Sequence, residues 1–336
     1  MSEVMTTPLP PHRRDSGRPL LDVRDLRVFY GKHGLQAVHD VSFRLETGRR
    51  YGMVGETGCG KSTVLKAVLG LVRAPHRVQA DTMELTGAGD LLHLRPRALR
   101  ALRGAEIGYV AQNPFGALHP VLTVGEQFHR FLAAHGATRS RKDSRERAVP
   151  MLDRLGVPDA ARVHDGHAGA LSGGMAQRVV IAFASILEPR LVIADEPTTA
   201  LDVTVQRQVL DLMATPDPRR TLLMTTHDLS VVAQYCDEVF VMYAGRVVES
   251  GPVDSVFVDP QHPYTAALLG SVPRPGQPLA SLPGSPPSLG EHTTGCDFAP
   301  RCRFRTDVCA QQPPLEHVGG VADHAVACHH PLGGAA

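Results

Sequence analysis

Tryptophan is absent from this chain, and aromatic residues of all kinds make up only 5% of it. Neither sign of charge is in excess: 35 Lys and Arg stand against 34 Asp and Glu, a net charge of +1. A protein that holds nucleic acid by bulk charge needs a basic surplus, and there is none. No uninterrupted apolar run approaches the ~18 residues of a membrane-spanning helix. Residues 1–20 carry prolines and arginines but no apolar signal core, and read as a disordered cytosolic leader. If the chain serves a membrane, it does so as a peripheral subunit. Cysteine is scarce before position 290, where only Cys59 and Cys236 occur, whereas Cys296, Cys302, Cys309 and Cys328 crowd the last 41 residues. Without a secretion signal, disulfides are the poorer account of that crowding.

What is present is an ordinary globular composition, 43% hydrophobic and 21% charged over 336 residues, enough for one large domain or two smaller ones. Strand patterns occupy 21–30, 41–45 and 51–54, and the last runs into a glycine-rich turn. Residues 62–72 read as a helix with Val64, Leu65, Val68 and Leu69 on one face. Another strand is expected at 107–110. Residues 113–170 change character, with helical periodicity, basic runs and glycine breaks, and read as a mainly helical insertion. Strand and helix patterns then alternate through 191–194, 203–213, 221–225 and 239–243, which predicts an α/β fold with a largely parallel sheet. The prolines from 273 to 287 make 271–290 an extended linker, and 291–336 is a cysteine-rich tail.

Three motifs carry chemistry. Gly55-Glu56-Thr57-Gly58-Cys59-Gly60-Lys61-Ser62 fits G-x-x-x-x-G-K-[ST], with a strand before it and a helix after it. Glycines let successive backbone N–H groups and the helix N-terminus point at phosphate oxygens. Lys61 supplies a charge to the outer phosphates, and Ser62 offers a hydroxyl to Mg2+ with Thr63 behind it. The apolar run 191–194 ends in Asp195 and Glu196, two carboxylates at the carboxyl edge of a buried strand. Asp195 suits Mg2+, and Glu196 suits a general base for water. Ser172, Gly173 and Gly174 open a long apolar helix that also holds Gln177, which makes a second anion site at a helix N-terminus. Two such ends in one chain suggest nucleotides clamped between two subunits.

Over residues 21–269 the sequence resembles an ATP-binding-cassette (ABC) ATPase: a P-loop NTPase with a RecA-like parallel core, an antiparallel β subdomain and a helical insertion. The signature is at 171–177, with Ser172, Gly173, Gly174 and Gln177 acting on ATP bound by a partner. Gln112 stands where the family links the nucleotide site to the helical subdomain. Ala200-Leu201-Asp202 resembles the dimer-contact loop, His227 the switch histidine, and Tyr30 the aromatic stacked on adenine. Residues 111–127 and His262-Pro263-Tyr264-Thr265-Ala266-Ala267-Leu268-Leu269 are similar to one branch, the ATPases of oligopeptide, dipeptide and nickel importers. Ala111 and Asn113 depart from it, replacing residues that are usually aromatic and acidic.

That resemblance implies ATP hydrolysis coupled to solute import. It implies a second ABC ATPase as partner, a different subunit or a second copy, with two membrane permeases and an extracytoplasmic solute-binding protein, at the cytoplasmic face of the membrane. In the dipeptide-importer type, a tail like that of Cys296, Cys302, Cys309 and Cys328 implies a [4Fe–4S] cluster. From residue chemistry alone, four thiolates suit an Fe–S cluster or Zn2+, and metal-free thiols remain open. Close C-x2–4-C pairs typical of zinc modules do not occur, and the gaps of five, six and eighteen residues fit a loop around a larger object. His329 and His330 read as exposed tail residues. Two rivals stand beside the importer reading: a subunit of a soluble enzyme complex of the carbon–phosphorus lyase type, and a nucleic-acid ATPase. The second lacks a second cassette, a coiled coil or a basic surface in this chain. The imported solute, whether peptide, nickel, metal chelate or opine, is not written in the sequence.

Overall fold

The structure is a computed structural model that describes residues 18–198, 201–272, 282, 284–291, 294–318 and 323–333. Strand β1 (Leu21–Tyr30) pairs antiparallel with β2 (Leu35–Leu45), which begins six residues before the stretch the alternation marks. Leu20, expected in the leader, is buried; its N–H donates to the Leu45 carbonyl at 2.7 Å and its own carbonyl accepts from Thr86. Residues 18–20 therefore belong to the fold, while the rest of the expected leader lies outside the described residues. β3 (Arg50–Val54) feeds the phosphate loop and α1 (Lys61–Val68). This helix stops short of the expected Val72 because Gly70, at φ +61°, closes it in a left-handed turn.

β4 (Arg77–Gln79), β5 (Thr82–Leu85) and β6 (Gly89–Asp90) complete the antiparallel sheet, in the order β2-β1-β5-β6 with β4 also on β1. After α2 (Pro96–Ala105) and β7 (Ile107–Val110) comes the helical insertion: α3 (Pro114–Ala117), α4 (Val124–Ala134), α5 (Arg141–Arg154) and α6 (Ala160–Asp165). Side chains cap α3, α4 and α5 at Asn113, Thr123 and Ser140. The insertion is fastened to the long apolar α7 (Gly173–Ser185) by Phe128, whose ring stacks on Phe183 with centroids 3.8 Å apart.

β8 (Leu191–Asp195), α8 (Val203–Met213), β9 (Thr221–Thr226), α9 (Leu229–Tyr235) and β10 (Glu238–Tyr243) alternate as the sequence predicts. The central sheet runs β7-β8-β9-β3-β10 with every neighbour parallel. Its strands are almost wholly buried, and apolar clusters cover both faces. β11 (Arg246–Pro252) turns back antiparallel on β10, and α10 (Val253–Val258) and α11 (Pro263–Gly270) follow. Of the proline-rich linker, Pro273, Pro275, Pro278 and Pro283 lie outside the described residues, and Pro286 and Pro287 sit in no helix or strand.

The tail does not stand apart. β12 (Glu316–His317) and β13 (Ala325–Val326) extend the main sheet beyond β11. The pin is Glu249 on β11, fully buried. Its Oε1 accepts from Gln261 N–H at 2.7 Å and from His324 Nε2 at 2.7 Å, and its Oε2 accepts from His262 N–H at 2.9 Å. One carboxylate thus joins β11, the start of α11 and the tail. Glu249→Ala leaves those donors orphaned and is expected to cost about 3–5 kcal/mol. It should also expose the tail to limited proteolysis before the core unfolds; a tail as resistant as in the parent chain would contradict the pin.

Candidate functional site

The carboxyl ends of β3, β8 and β9 lie side by side, with Val54 opposite Thr226 and Asp195 opposite Thr225. That adjacency sets the site. From β3 the chain enters the phosphate loop, where glycine is required at Gly55 (φ +150°): a Cβ there would lie 2.1 Å from the Met242 carbonyl oxygen. Gly60, at φ +104°, turns the loop into α1 close to the Ala37 carbonyl. Thr57 and Gly58 face outward, whereas Cys59 is 4% exposed, packed beneath the loop with its thiol pKa raised by burial. Lys61 is 4% exposed, its ammonium donating to the carbonyls of Gly55 at 2.7 Å and Glu56 at 3.1 Å. A buried cation bonded only to neutral dipoles is poised for an anion.

Ser62 Oγ donates to Asp195 Oδ1 at 2.7 Å, so the two oxygens that suit a hard cation are already adjacent. Thr225 Oγ1 donates to the same carboxylate oxygen at 2.8 Å and accepts from the Glu196 N–H at 3.0 Å. Glu196 adopts φ +44°, a strained conformation for a residue with a Cβ. Its Oε2 accepts from Gln112 Nε2 at 3.1 Å and faces His227 Nδ1 at 3.6 Å. Tyr30 stands close by, its hydroxyl 3.1 Å from Thr63 Oγ1. Gln112 also lines a broad groove with Tyr109, Leu118, Phe131 and Phe183 between the sheet edge and the helical insertion.

The signature residues are divided. Ser172 is exposed and caps α7 by accepting from Met175 N–H, and Gly173 follows as the first residue of the helix. A Cβ on Gly174 would meet Val205 of α8 at 2.8 Å, so α7 and α8 approach as closely as glycine allows. Asp202 caps α8 through the N–H groups of Thr204 and Val205, and Leu201 precedes it; Ala200 lies outside the described residues. Gln177 departs from expectation. At 1% exposure it is enclosed within its own chain, on the buried side of α7, rather than presented at the surface beside Ser172.

Far along the chain, Cys296, Cys302, Cys309 and Cys328 line one small cavity beside His262 and Phe298. Burial pushes the Cys296 and Cys302 thiols up and Cys328 up to about 11; backbone N–H groups of Phe298, Ala299, Phe304 and His330 on the sulfurs pull the other way. Among the described residues no three His, Cys, Asp or Glu side chains are grouped as for a single metal ion. His329 and His330 are half-buried at the cavity rim rather than exposed, engaging the Gln311 carbonyl and Thr306 Oγ1.

Comparison with known proteins agrees with this geometry. Residues 38–199 match the family model of the ABC transporter, and residues 248–309 match the oligopeptide/dipeptide transporter C-terminal region. The dipeptide transport ATP-binding protein DppD of Haemophilus influenzae is 41% identical over 93% of this chain and 96% of its own. This chain belongs to the ABC ATPases of the oligopeptide/dipeptide transporter family. The Bacillus subtilis DppD is 42% identical over 92% of this chain and 94% of its own length. The oligopeptide transport ATP-binding protein OppD of Mycobacterium tuberculosis is 45% identical over 92% of this chain but 52% of its own. Among solved structures, cbiO1 of Clostridium perfringens, part of the ABC transporter complex cbiONQ, aligns at TM-score 0.57 and 27% identity, over 71% of this chain and 91% of that one.

In this ABC ATPase, Thr225 bonds Asp195 and the Glu196 N–H, and Tyr264 and Arg301 bond Glu56 of the glycine-rich loop, contacts that no motif assigned to them. Thr225 follows from strand register; the other two come from the C-terminal region. Among the described residues no helix is long and apolar enough to cross a membrane. Thr225→Val keeps the shape of a fully buried side chain but removes the hydroxyl that aligns Asp195 and Glu196. Phosphate release at saturating Mg-ATP is expected to fall roughly tenfold while the fold persists. Unchanged turnover would remove Thr225 from the site.

Proposed function

We propose that this chain is the ATP-hydrolysing subunit of an importer for peptides or a chemically related small solute. The observation that carries the reading is the convergence of Lys61, Ser62, Asp195 and Glu196 at one sheet edge, with Gln112 and His227 on the Glu196 carboxylate. Ser62 and Asp195 would hold Mg2+, which when bound neutralises charge developing on the phosphates. Lys61 exchanges its carbonyl partners for phosphate oxygens. Glu196, fixed by the Gln112 amide, takes a proton from the attacking water as its oxygen bonds to the γ-phosphorus and the bond to ADP breaks. His227 approaches the same carboxylate from β9 and steadies the γ-phosphate region, and Tyr30 offers its ring to adenine. Ser172 and Gly174 complete the site of a second cassette in a head-to-tail pair, and the Asp202 loop touches that partner.

The partners of this reading are a second, different ABC ATPase, two membrane permeases and an extracytoplasmic binding protein, with the chain peripheral at the cytoplasmic membrane face. Gln112 and the groove beside it pass the motion of hydrolysis through the helical insertion to the permeases. The names of the DppD and OppD relatives favour a peptide as the solute. For the tail we favour a [4Fe–4S] cluster over Zn2+: four thiols share one cavity at spacings that lack the close C-x2–4-C pairs of zinc modules, and backbone N–H groups reach the sulfurs of Cys296, Cys302 and Cys328. Such a cluster would supply one-electron chemistry or a structural staple; Cys296, Cys302, Cys309 and Cys328 would hold it, with Phe298 on the wall of the same cavity.

Glu196→Gln should bind Mg-ATP as the parent does while phosphate release falls by at least 100-fold; undiminished hydrolysis would refute the role. Anaerobically purified protein should be brown, with iron and acid-labile sulfide in equal amounts. A colourless preparation with stoichiometric zinc would replace the cluster by Zn2+.

A further inference from the structure

Glu56, the second residue of the phosphate loop, is held by two residues of the C-terminal region. Its N–H donates to Tyr264 Oη at 2.9 Å. Its carboxylate receives both terminal nitrogens of Arg301, Nη1 to Oε2 at 2.7 Å and Nη2 to Oε1 at 3.1 Å. Its carbonyl meanwhile accepts from Lys61 and from the Cys59 N–H. The contact spans 245 positions of sequence, and the Arg301 side chain is only 6% exposed. Tyr243 and Phe298 flank the guanidinium, with ring centroids 5.6 and 5.8 Å from its central carbon, and Nη1 also donates to Tyr243 Oη at 3.2 Å. A planar fork with two parallel bonds is a geometry that lysine cannot reproduce.

Two consequences follow from charge and placement. A carboxylate in the loop that receives a polyphosphate repels it, and Arg301 neutralises that carboxylate while orienting it. Arg301 itself is placed by the cysteines. It ends the short 3-10 turn Ala299–Arg301, in which the Cys296 backbone carbonyl accepts from the Ala299 N–H at 2.9 Å, and Cys302 follows directly. Tyr264 lies in the same cluster, its ring 5.4 Å from that of Phe298, and His262, which caps the helix carrying Tyr264, lines the cysteine cavity.

We propose that Arg301 is a positioning residue for nucleotide binding: its fork on the Glu56 carboxylate holds the phosphate loop in the form that accepts ATP, and makes nucleotide affinity depend on the ordering of the four-cysteine turn. The inference rests on the ATPase reading above and on no particular identity of what the thiols bind. By linkage, bound nucleotide stabilises the cysteine turn by the same factor that the ordered turn strengthens nucleotide binding.

The test is a titration of the full-length chain with a fluorescent ribose-labelled ATP analogue and Mg2+, alongside KM and kcat. Arg301→Ala should weaken affinity roughly 10-fold and raise KM, with kcat at saturation within about twofold. Arg301→Lys should fall between it and the parent. Adding Glu56→Gln to Arg301→Ala should recover part of the affinity, because it removes the uncompensated carboxylate. An unfolded tail is told apart by limited proteolysis: residues 291–336 of the Arg301→Ala chain should stay as resistant as in the parent, and a tail cleaved before the core would overturn the inference. Cys309→Ser should weaken binding in the parent and add nothing in the Arg301→Ala background. Lys61-dependent binding that is indifferent to Arg301→Ala, losses from Arg301→Ala and Glu56→Gln that simply multiply, or an equal effect of Cys309→Ser in both backgrounds would each overturn the inference. Binding in the parent chain that does not depend on Lys61 would overturn the ATPase reading itself, and this inference with it.

Discussion

The parallel pairing of β3 with β9 and of β9 with β8 is the constraint on which the site depends. Because the three strands run the same way, they deliver the phosphate loop, the Asp195–Glu196 pair and the Thr225–His227 segment to one edge. A one-residue slip would turn Asp195 away from Ser62 and send the inward-facing residues to the opposite face. The edge is held under tension. Glu196 has a left-handed backbone, and Lys61 is a buried cation bonded to carbonyls of its own loop. Both features are costly in a protein that only has to fold, and both are relieved or used when a polyanion arrives.

A second constraint acts on the far side of the sheet. Glu249 gathers the backbone of Gln261 and His262 and the ring of His324 onto one buried carboxylate. Through it the tail becomes an extension of the main sheet, and the cysteines it carries are brought next to α11. From there Tyr264 and Arg301 reach Glu56. The groups proposed for catalysis are complete without the tail, yet Glu56 of the glycine-rich loop is held at its backbone by Tyr264 of α11 and at its carboxylate by Arg301 of the tail.

Much of the proposed nucleotide site was legible in the sequence because its residues lie close together in short segments whose chemistry fixes their spacing. Gly55 to Ser62 is one loop, and Asp195 and Glu196 end one strand. The helical insertion was legible for a similar reason, since its periodicity is local. The tail was legible as four cysteines but not as a structure. Arg301 and Glu56, and His324 and Glu249, are too far apart in sequence for any local pattern to pair them. Gln177 shows the opposite failure: a position belonging to a motif is not thereby at the surface, and here the helix turns it inward. Leu20 was misread because prolines and arginines before it suggested disorder, while one backbone bond to Leu45 and one from Thr86 tie it into the first sheet.

The most direct test of the account is an experimental structure of the Glu196→Gln chain with Mg-ATP. The triphosphate is expected in the loop from Gly55 to Ser62, with Lys61 Nζ moved from the Gly55 and Glu56 carbonyls onto phosphate oxygens. The metal ion is expected at Ser62, beside Asp195. A nucleotide seated elsewhere, for example in the groove between Gln112 and Phe131, with Lys61 still bonded to its own loop, would contradict the account.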